Sequence, residues 1–314
     1  MTRGTLVYIG QRTILIALTA LVVSSIVFIG VHQLPGTALL SERNSNPAVE
    51  QALLHHFGLD KPWPQQYLDW LGGVVRGDLG ESLKVRGAKI TPILLREAAT
   101  SATLGAFAML FTVIVGMSLG VIAAIRQNSW VDYVATALGT IGYSMPNFVV
   151  ATLLILLTVK GFYTWTGGEF YEDIGWGKIE QIPVPAVALG LLPMTLLTRL
   201  TRASMLETIR QDYVRTAWAK GLKAQIVIIR HALRNALLPV VTVLGPITTG
   251  VITGSVVIEN IFGIPGLGKE FVTSIFSRDY NIVVGVFTFY AVLVGLANLL
   301  VDLVYPVLDP RIRY

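Results

Sequence analysis

Six long apolar segments constrain the fold of this chain more than any other feature of its sequence. A helix needs about 20 apolar residues to cross a bilayer, because the hydrocarbon core is about 30 Å thick and each residue rises about 1.5 Å. These segments run without interruption far beyond the roughly 10 residues of a membrane β-barrel strand. The sequence therefore predicts an all-α integral membrane protein with six transmembrane helices, at Thr13–Leu34, Ala98–Ile125, Val134–Val159, Ile182–Thr198, Ala236–Ile258 and Ile282–Leu308.

Details within these segments refine the prediction. The first segment, Thr13–Leu34, is too long for a signal peptide and is followed by no small-x-small cleavage site, so we expect a transmembrane helix. The fourth segment is short and is expected to continue helically to about Leu206. Pro146 and Pro246 lie inside the third and fifth segments. Because proline removes a backbone donor, we expect a kink at each.

Composition excludes several classes of protein. Charged residues make up only 14% of the chain and hydrophobic residues 53%, whereas soluble domains carry about 25% charged residues. The chain has no cysteine, which rules out disulfides, thiolate metal sites and a cysteine nucleophile. Its formal charge of +5 is the excess expected at the inner face of a multi-span protein, so we predict membrane lipid and no nucleic acid as a partner.

The distribution of basic residues predicts the orientation in the membrane. If the N-terminus lies inside, the short inner segments hold 13 Lys and Arg and the short outer segments hold four. Inner loops of membrane proteins carry this excess, so both termini are predicted to be cytoplasmic. The loop of residues 35–97 has seven basic and seven acidic residues and is too long to count in this comparison.

We divide the chain into three predicted parts. Residues 1–34 form the N-terminus and first helix, residues 35–97 an extracytoplasmic cap, and residues 98–314 a five-helix core with an inner loop at about 199–235. Within the cap, Gln65–Val75 has apolar residues at helical spacing, which is typical of packing rather than of a ligand site. Residues 259–281 are expected to form a Gly/Pro turn and an amphipathic helix with one apolar side, made of Phe271, Ile275 and Phe276.

The inner loop contains the most basic stretch of the chain. Arg199–Arg234 holds eight Lys and Arg against two acids. Asp212 can cap a helix at its N-terminus, and Gly221 stands where a left-handed residue would end it. The sequence thus predicts a short helix along the inner face. From the residues alone, a docking element for a soluble partner and a helix resting on lipid headgroups remain equal alternatives.

Motifs of enzymes and metal sites are absent from the sequence. It contains neither HExxH nor GxSxG, and its four histidines are scattered. Gly263–Lys269 fits the start of a phosphate-binding loop, but Glu270 replaces the Ser or Thr that would hold magnesium, so we interpret it as a tight turn. Within the predicted spans Asp302 is the one acidic residue, which disfavours a proton-coupled transporter. We therefore expect no catalytic residue, cofactor or metal in this chain.

Several motifs nevertheless resemble one known family. The segments Tyr213–Leu222 (YVRTAWAKGL) and His231–Pro239 (HALRNALLP) look like the cytoplasmic signature loop of bacterial ABC importer permeases, in the form found in the peptide/nickel branch. Arg215-Thr216-Ala217 stands where the general pattern has Glu-Ala-Ala. Further similarities cover essentially the whole chain and are most like the B-type subunit of oligopeptide permeases: Gly77–Gly80 with Ser82, Thr253–Ser255 with Glu259, Ile261–Gly268, Arg278–Tyr280 and Asp309–Tyr314.

The resemblance implies a type I importer permease in the bacterial inner membrane. A second, homologous permease subunit would complete the pore, two cytoplasmic ATPases would bind ATP and magnesium, and an extracytoplasmic binding protein would deliver oligopeptides. The helix at residues 212–222 would dock on an ATPase through Asp212, Tyr213, Arg215, Thr216, Ala217, Lys220, Gly221 and Leu222. Polar residues of the spans would line the pore, for which we name Ser144, Asn147, Thr249, Thr253 and Ser255.

Alternatives remain open at this stage. Within the same family the substrate can be a dipeptide, glutathione or nickel, although the sequence shows no cluster of metal ligands along the predicted pore. From another class, the chain can be an autonomous secondary transporter or channel, which would need no ATPase. A membrane scaffold that uses the inner loop only for docking is the third alternative.

Overall fold

The structure, a computed structural model, describes residues 3–33, 47–85, 87–162, 164 and 175–308. These residues are helical apart from turns and an isolated bridge between Glu81 and Lys89. We number the helices α1 (Arg3–His32), α2 (Pro47–His56), α3 (Trp63–Val75), α4 (Ile90–Ile125), α5 (Trp130–Ser144), α6 (Asn147–Ile155), α7 (Pro183–Ile209), α8 (Asp212–Ala219), α9 (Arg234–Ile252), α10 (Val256–Ile261), α11 (Leu267–Ser277) and α12 (Tyr280–Leu308).

Five helical segments of the described chain are long and apolar enough to cross a membrane, and they contain α1, α4, α7, α9 and α12. The fourth predicted span continues as expected, because α7 reaches Ile209 with Pro193 in its interior. The segment around α9 is continuous from Ala224 to Ile261 by the same criterion. These helices confirm the all-α membrane fold and five of the predicted spans.

The third predicted span differs from expectation. Instead of one kinked helix over Val134–Val159, the chain forms two helices, α5 and α6. The helix axis bends by 108° between them. Met145 and Pro146 between them are extended, with ψ angles of 130° and 139°. Proline excludes its predecessor from the helical region and cannot donate to the preceding turn, so the helix ends there. The pair forms either one broken span or a re-entrant segment.

The described chain falls into two compact units, and the division into three parts stays a prediction. One unit comprises the chain up to Thr100 together with Pro265–Leu299, and the other comprises Ser101–Ile264 together with the end of α12 from Leu300. Most of the last helix thus groups with the N-terminal part of the chain. The sequence could not show this, because the grouping depends on contacts between segments about 200 residues apart.

In the first unit, the cap helix α3 packs as its apolar spacing predicts. Trp70 and Val74 contact a buried cluster containing Ile90, Leu94 and Ile282. The Tyr67 hydroxyl lies 2.8 Å from Ser24 Oγ and 2.7 Å from Ser25 Oγ of α1, within hydrogen-bonding distance of both. Leu34, the last residue of the predicted first span, and residues 35–46 of the predicted cap lie outside the described residues.

The predicted apolar side of α11 is only partly correct. Phe271 packs in the core of the first unit, but Ile275 is 43% exposed and Phe276 84% exposed. The buried face instead contains Leu267, Gly268 and Ser274. Small residues in a helix let neighbouring backbones approach, so the face that packs here is not the most hydrophobic one.

In the second unit, α7 is the central helix, with contacts to α5, α6 and α9. Two glycines of α4 allow α4 and α7 to approach each other closely. A methyl group on Gly116 would lie 2.9 Å from the carbonyl oxygen of Met194, and one on Gly120 would lie 2.6 Å from that of Thr198. The absence of a side chain at these two positions therefore lets the backbones of α4 and α7 pack closely. The turn at Gly263, which has φ +68°, confirms that the phosphate-loop-like sequence is a turn that leads into α11.

Candidate functional site

The helix α8 is amphipathic and is held to the second unit by a small apolar cluster. Val214 and Ala217 are 1% and 5% exposed, and they pack with buried Val227 and partly buried Leu222. Val227 begins a π-helical segment, Val227–Leu233, that continues directly into α9. The apolar face of α8 therefore rests on the N-terminal extension of a membrane-spanning helix.

The C-terminal end of α8 is a Schellman motif, as the position of glycine predicts. The backbone N–H of Gly221 donates to the carbonyl of Trp218 at 2.9 Å, and that of Leu222 donates to Ala217 at 3.4 Å. Gly221 has φ +73°, a conformation that costs little only for glycine. The motif ends the helix at a defined residue and turns the chain back toward the apolar cluster.

The N-terminal end of α8 corrects one detail of the prediction. The cap residue is Gln211, with extended backbone angles, and Asp212 is the first helical residue. A carboxylate in the first turn still interacts favourably with the helix dipole. Its partner is Arg215, whose guanidinium lies 3.7 Å away on the exposed surface.

The predicted docking residues separate into an exposed group and a packed group. Ala217 is buried and Leu222 half-buried, so these two hold the helix in place and offer little surface to a partner. Trp218, which the prediction omitted, is 47% exposed. A large aromatic side chain at this exposure is typical of a protein interface. The other predicted residues are exposed: Asp212, Tyr213, Arg215, Thr216, Lys220 and Gly221.

A polar contact adds to the apolar attachment of α8. Asn235 Nδ2 donates a hydrogen bond to the hydroxyl of Tyr213 at 2.8 Å, across 22 residues of sequence. Asn235 lies in the first turn of α9. The apolar contacts and this hydrogen bond thus attach α8 to α9 and to its N-terminal extension.

The basic segment is less uniform than its sequence indicates. Arg202 of α7 is bound to the buried carboxylate of Asp132 of α5, with Nε–Oδ1 and Nη2–Oδ2 distances of 2.6 and 2.7 Å. Arg202 is therefore one partner of a structural ion pair and does not contribute to the exposed basic surface. The remaining seven basic residues are exposed: Arg199, Arg210, Arg215, Lys220, Lys223, Arg230 and Arg234.

Buried acids within the candidate spans were missed by the sequence analysis, which named Asp302 alone. Asp132 is 3% exposed and Glu259 is 0% exposed. Glu259 Oε1 accepts hydrogen bonds from Ser101 Oγ at 2.8 Å and from the backbone N–H of Ser255 at 3.3 Å. The span boundaries hid both residues, because each lies just beyond the apolar run drawn from hydropathy.

The predicted pore residues lie at helix ends and along α9. Ser144 ends α5 and Asn147 begins α6, on either side of the break. Thr249 and Thr253 are buried, and each hydroxyl donates to a carbonyl one turn earlier in its own segment. Ser255 caps α10 through Ile258 N–H at 3.3 Å. Their assignment to a pore stays a prediction.

Comparison with known protein families identifies two matching models. A model described as the binding-protein-dependent transport system inner membrane component matches residues 116–314. A model of the N-terminal part of such membrane components matches residues 5–93. The two matches together cover the first helix, the cap and the region that holds α8.

The curated relatives include permease proteins for peptides. The dipeptide transport system permease protein DppB of Bacillus subtilis is 42% identical over 306 residues, which is 98% of this chain and 97% of that protein. DppB of Escherichia coli K12 is 39% identical over 98% of both chains. The oligopeptide transport system permease protein OppB of Escherichia coli K12 is 37% identical over 94% of this chain and 95% of that protein.

Proposed function

Because this chain belongs to the family of binding-protein-dependent transport system inner membrane components, we propose that it is the peptide-conducting permease subunit of an ATP-driven importer. Members of this family are multi-pass subunits of ABC importers in the bacterial inner membrane, and they act together with ATPases and a substrate-binding protein. We propose that the complete importer contains this chain, a second permease subunit, two cytoplasmic ATPases and one extracytoplasmic binding protein. ATP and magnesium would be bound by the ATPases, and this chain would hold no catalytic residue or cofactor.

The observation that carries the proposal is the construction of α8. Its exposed face presents Tyr213, Arg215 and Trp218, while its buried face and its Schellman end attach it to the extension of α9. Such an arrangement is suited to receive a force from a soluble partner, because the exposed residues are held on a short, well-terminated helix. A helix that only rested on lipid would need neither the polar contact to Asn235 nor a defined end.

The mechanism follows from these attachments. A partner that docks on the exposed face and moves α8 also moves Val214 and Ala217, which are packed against Val227 at the start of the π-helical segment. The hydrogen bond between Tyr213 and Asn235 transmits the same displacement to the first turn of α9. In our proposal this movement opens and closes the pore, and the free energy comes from ATP hydrolysis in the partner.

We propose short peptides as the substrate class. The relatives named above are described as dipeptide and oligopeptide permeases, so the similarity supports peptides but does not separate dipeptides from the longer peptides that the sequence resemblance suggested. Of the pore residues in this proposal, Ser144, Asn147 and Ser255 are exposed or half-buried neutral polar groups that can hydrogen-bond to peptide backbones. Thr249 and Thr253 are buried and would support the wall of the pore.

Substitution of Gly221 tests the proposed role of α8. Gly221→Pro cannot adopt φ +73° and removes the N–H that bonds to Trp218, whereas Gly221→Asn tolerates the left-handed conformation. We expect the proline variant to lose peptide uptake and peptide-stimulated ATP hydrolysis in the reconstituted importer, and the asparagine variant to keep most of both. Unchanged uptake by a correctly inserted proline variant would remove α8 from the mechanism.

Co-purification tests the proposed partners. A tagged chain extracted from native membranes in mild detergent should bring with it a second permease and cytoplasmic ATPases, as identified by mass spectrometry. Trp218→Ala should weaken recovery of the ATPases but not of the second permease, because Trp218 lies on the exposed face of α8. A chain that purifies alone and transports solute without ATP would instead support an autonomous transporter or channel.

A further inference from the structure

A cavity in the first unit lies among the end of α1, the cap helices and the start of α12. Its volume is about 560 Å³, within the range of about 300–1,000 Å³ that is usual for small-molecule sites. Its apolar wall includes Phe28, Trp70 and Val284. In the predicted topology the cap lies outside the cytoplasm.

The charged groups around this cavity favour a cationic ligand. Three carboxylates line it, Asp60, Asp69 and Glu81, against the single ammonium of Lys61. Lys61 Nζ is 2.7 Å from Asp69, and this hydrogen bond raises the pKa of Lys61, so the two neutralise each other. Asp60 and Glu81, whose Oε2 lies 4.0 Å from Nε2 of His56, supply the carboxylates of the lining that Lys61 does not balance. Aromatic walls next to carboxylates attract ammonium groups.

Two polar atoms of the same wall favour a ligand that also carries a hydrogen-bond acceptor. The indole N–H of Trp70 and the hydroxyl of Tyr280 are buried and form no hydrogen bond to a described group. Both side chains line the cavity. The two atoms have almost no accessible surface in this structure, so binding requires the two rings to turn until these donors face the cavity. A carbonyl or anionic oxygen of the ligand would then supply the partner that each buried donor lacks.

We propose that this cavity binds a small zwitterion, with its primary ammonium at Asp60 and Glu81 and its acceptor oxygen at Trp70 and Tyr280. Two sources offer this chemistry: the amino-terminal end of a short peptide, and the headgroup of phosphatidylethanolamine. The peptide source rests on the proposed function, whereas the ammonium chemistry does not. The site is separate from the predicted pore residues, all of which belong to the second unit.

Titration of the assembled importer tests this proposal. The complex is placed in phosphatidylcholine nanodiscs without its binding protein, and trialanine is titrated by calorimetry, with N-acetyl-trialanine as the probe that lacks the ammonium. A parallel preparation replaces part of the phosphatidylcholine with phosphatidylethanolamine and measures the thermal unfolding temperature. If a peptide occupies the site, we expect saturable binding of trialanine and none of N-acetyl-trialanine. If the lipid headgroup occupies it, we expect a higher unfolding temperature with phosphatidylethanolamine than with phosphatidylcholine alone.

Two variants connect the binding to this cavity. Tyr280→Phe removes a hydroxyl that lacks a partner, so it should leave the unfolding temperature unchanged or higher while it weakens the ligand effect about tenfold. Tyr67→Phe is the matched control, because its hydroxyl is bonded to Ser24 and Ser25 and it does not line the cavity. The double variant Asp60→Asn/Glu81→Gln should abolish the effect, and Glu180→Gln, an exposed acid of the second unit, should not.

The outcomes separate this proposal from the proposed function. Binding that does not require the ammonium, that survives the double variant, or that is absent with both trialanine and phosphatidylethanolamine would overturn the cavity proposal. Peptide uptake would be unaffected by that result. Absence of ATP-driven peptide uptake in the wild-type complex would overturn the proposed function, while the lipid measurement would still decide what the cavity binds.

Discussion

The guanidinium of Arg202 donates two parallel hydrogen bonds, of 2.6 and 2.7 Å, to the carboxylate of Asp132 and so joins α7 to α5. The Asp132 side chain is only 4% exposed and that of Arg202 30%. The backbone N–H of Asn128 donates to the same carboxylate at 3.0 Å. The pair holds the N-terminal end of α5, the helix that ends before Met145 and Pro146.

Removal of the arginine from this pair should be strongly destabilising. Arg202→Ala leaves a buried carboxylate without its counter-ion, which costs on the order of 3 kcal/mol. We expect a lower thermal unfolding temperature in detergent for this variant, and a smaller decrease when Asp132→Asn is added, because the uncompensated charge is then gone. Arg210→Ala, at an exposed position, is the control. Equal unfolding temperatures for Arg202→Ala and Arg210→Ala would contradict this assignment.

Another buried carboxylate, that of Asp279, accepts several hydrogen bonds within the first unit. Asp279 is 1% exposed; its side chain accepts a hydrogen bond of 2.5 Å from Ser82 Oγ and bonds to the backbone N–H groups of Leu83 and Ile282. Asp279→Ala should destabilise this unit by more than about 2 kcal/mol, since several buried donors lose their partner at once. Ser82→Ala should cost less, about 1 kcal/mol. Chemical denaturation of both variants measures the difference, and a larger effect for Ser82→Ala would be inconsistent with this role.

Two glycines near the end of α9 should respond to alanine in opposite directions. A methyl group on Gly254, which has φ +97°, would lie 2.6 Å from Glu259 Oε1 and 2.9 Å from Ser101 Oγ, whereas Gly250 has no neighbour within 4 Å. Gly254→Ala should therefore destabilise the protein by about 1–3 kcal/mol, and Gly250→Ala should stabilise α9 by up to about 1 kcal/mol. Thermal unfolding compares the two, and a change of the same sign in both would show that local helix propensity, not the contact with Glu259, decides the result.

Glu270 of α11 should make stability depend on pH. Burial raises the pKa of this carboxyl above its ordinary value of 4.5, and nearby Asp279 raises it further, while Arg96 and Lys269 oppose the shift. A raised folded-state pKa means that the native state binds more protons than the unfolded state, so stability falls as pH rises from about 4.5 through the raised pKa. Glu270→Gln should remove this part of the slope and raise the unfolding temperature at pH 8.

A matched exposed acid supplies the control for this measurement. Glu207→Gln removes a carboxylate from the exposed surface of α7. Its stability should follow the pH profile of the unmodified protein. If Glu270→Gln retained the unmodified slope between pH 4 and pH 8, burial of Glu270 would not be the cause of the pH dependence.

The termini of α8 illustrate which local features sequence reasoning can predict. Gly221 follows a stretch without helix breakers, and its position indicated the end of the helix. The hydrogen bonds of the Schellman motif, from Gly221 and Leu222, confirm this end. The start was displaced by one residue, because Gln211 rather than Asp212 has the extended backbone of a cap. The burial of Ala217 was missed, since its partner Val227 lies ten residues further along the chain and only the folded structure brings the two together.

The sequence by itself determined the membrane class, five of the spans, the cap helix α3 and the position of α8, because each depends on hydropathy, periodicity or turn chemistry within a short window. Tertiary structure alone decided which acids are buried and what they bond to. Glu259 meets Ser101 across 158 residues and Asp279 meets Ser82 across 197. Their burial is stable only because distant donors pair with the carboxylates, and no local pattern of residues encodes that pairing.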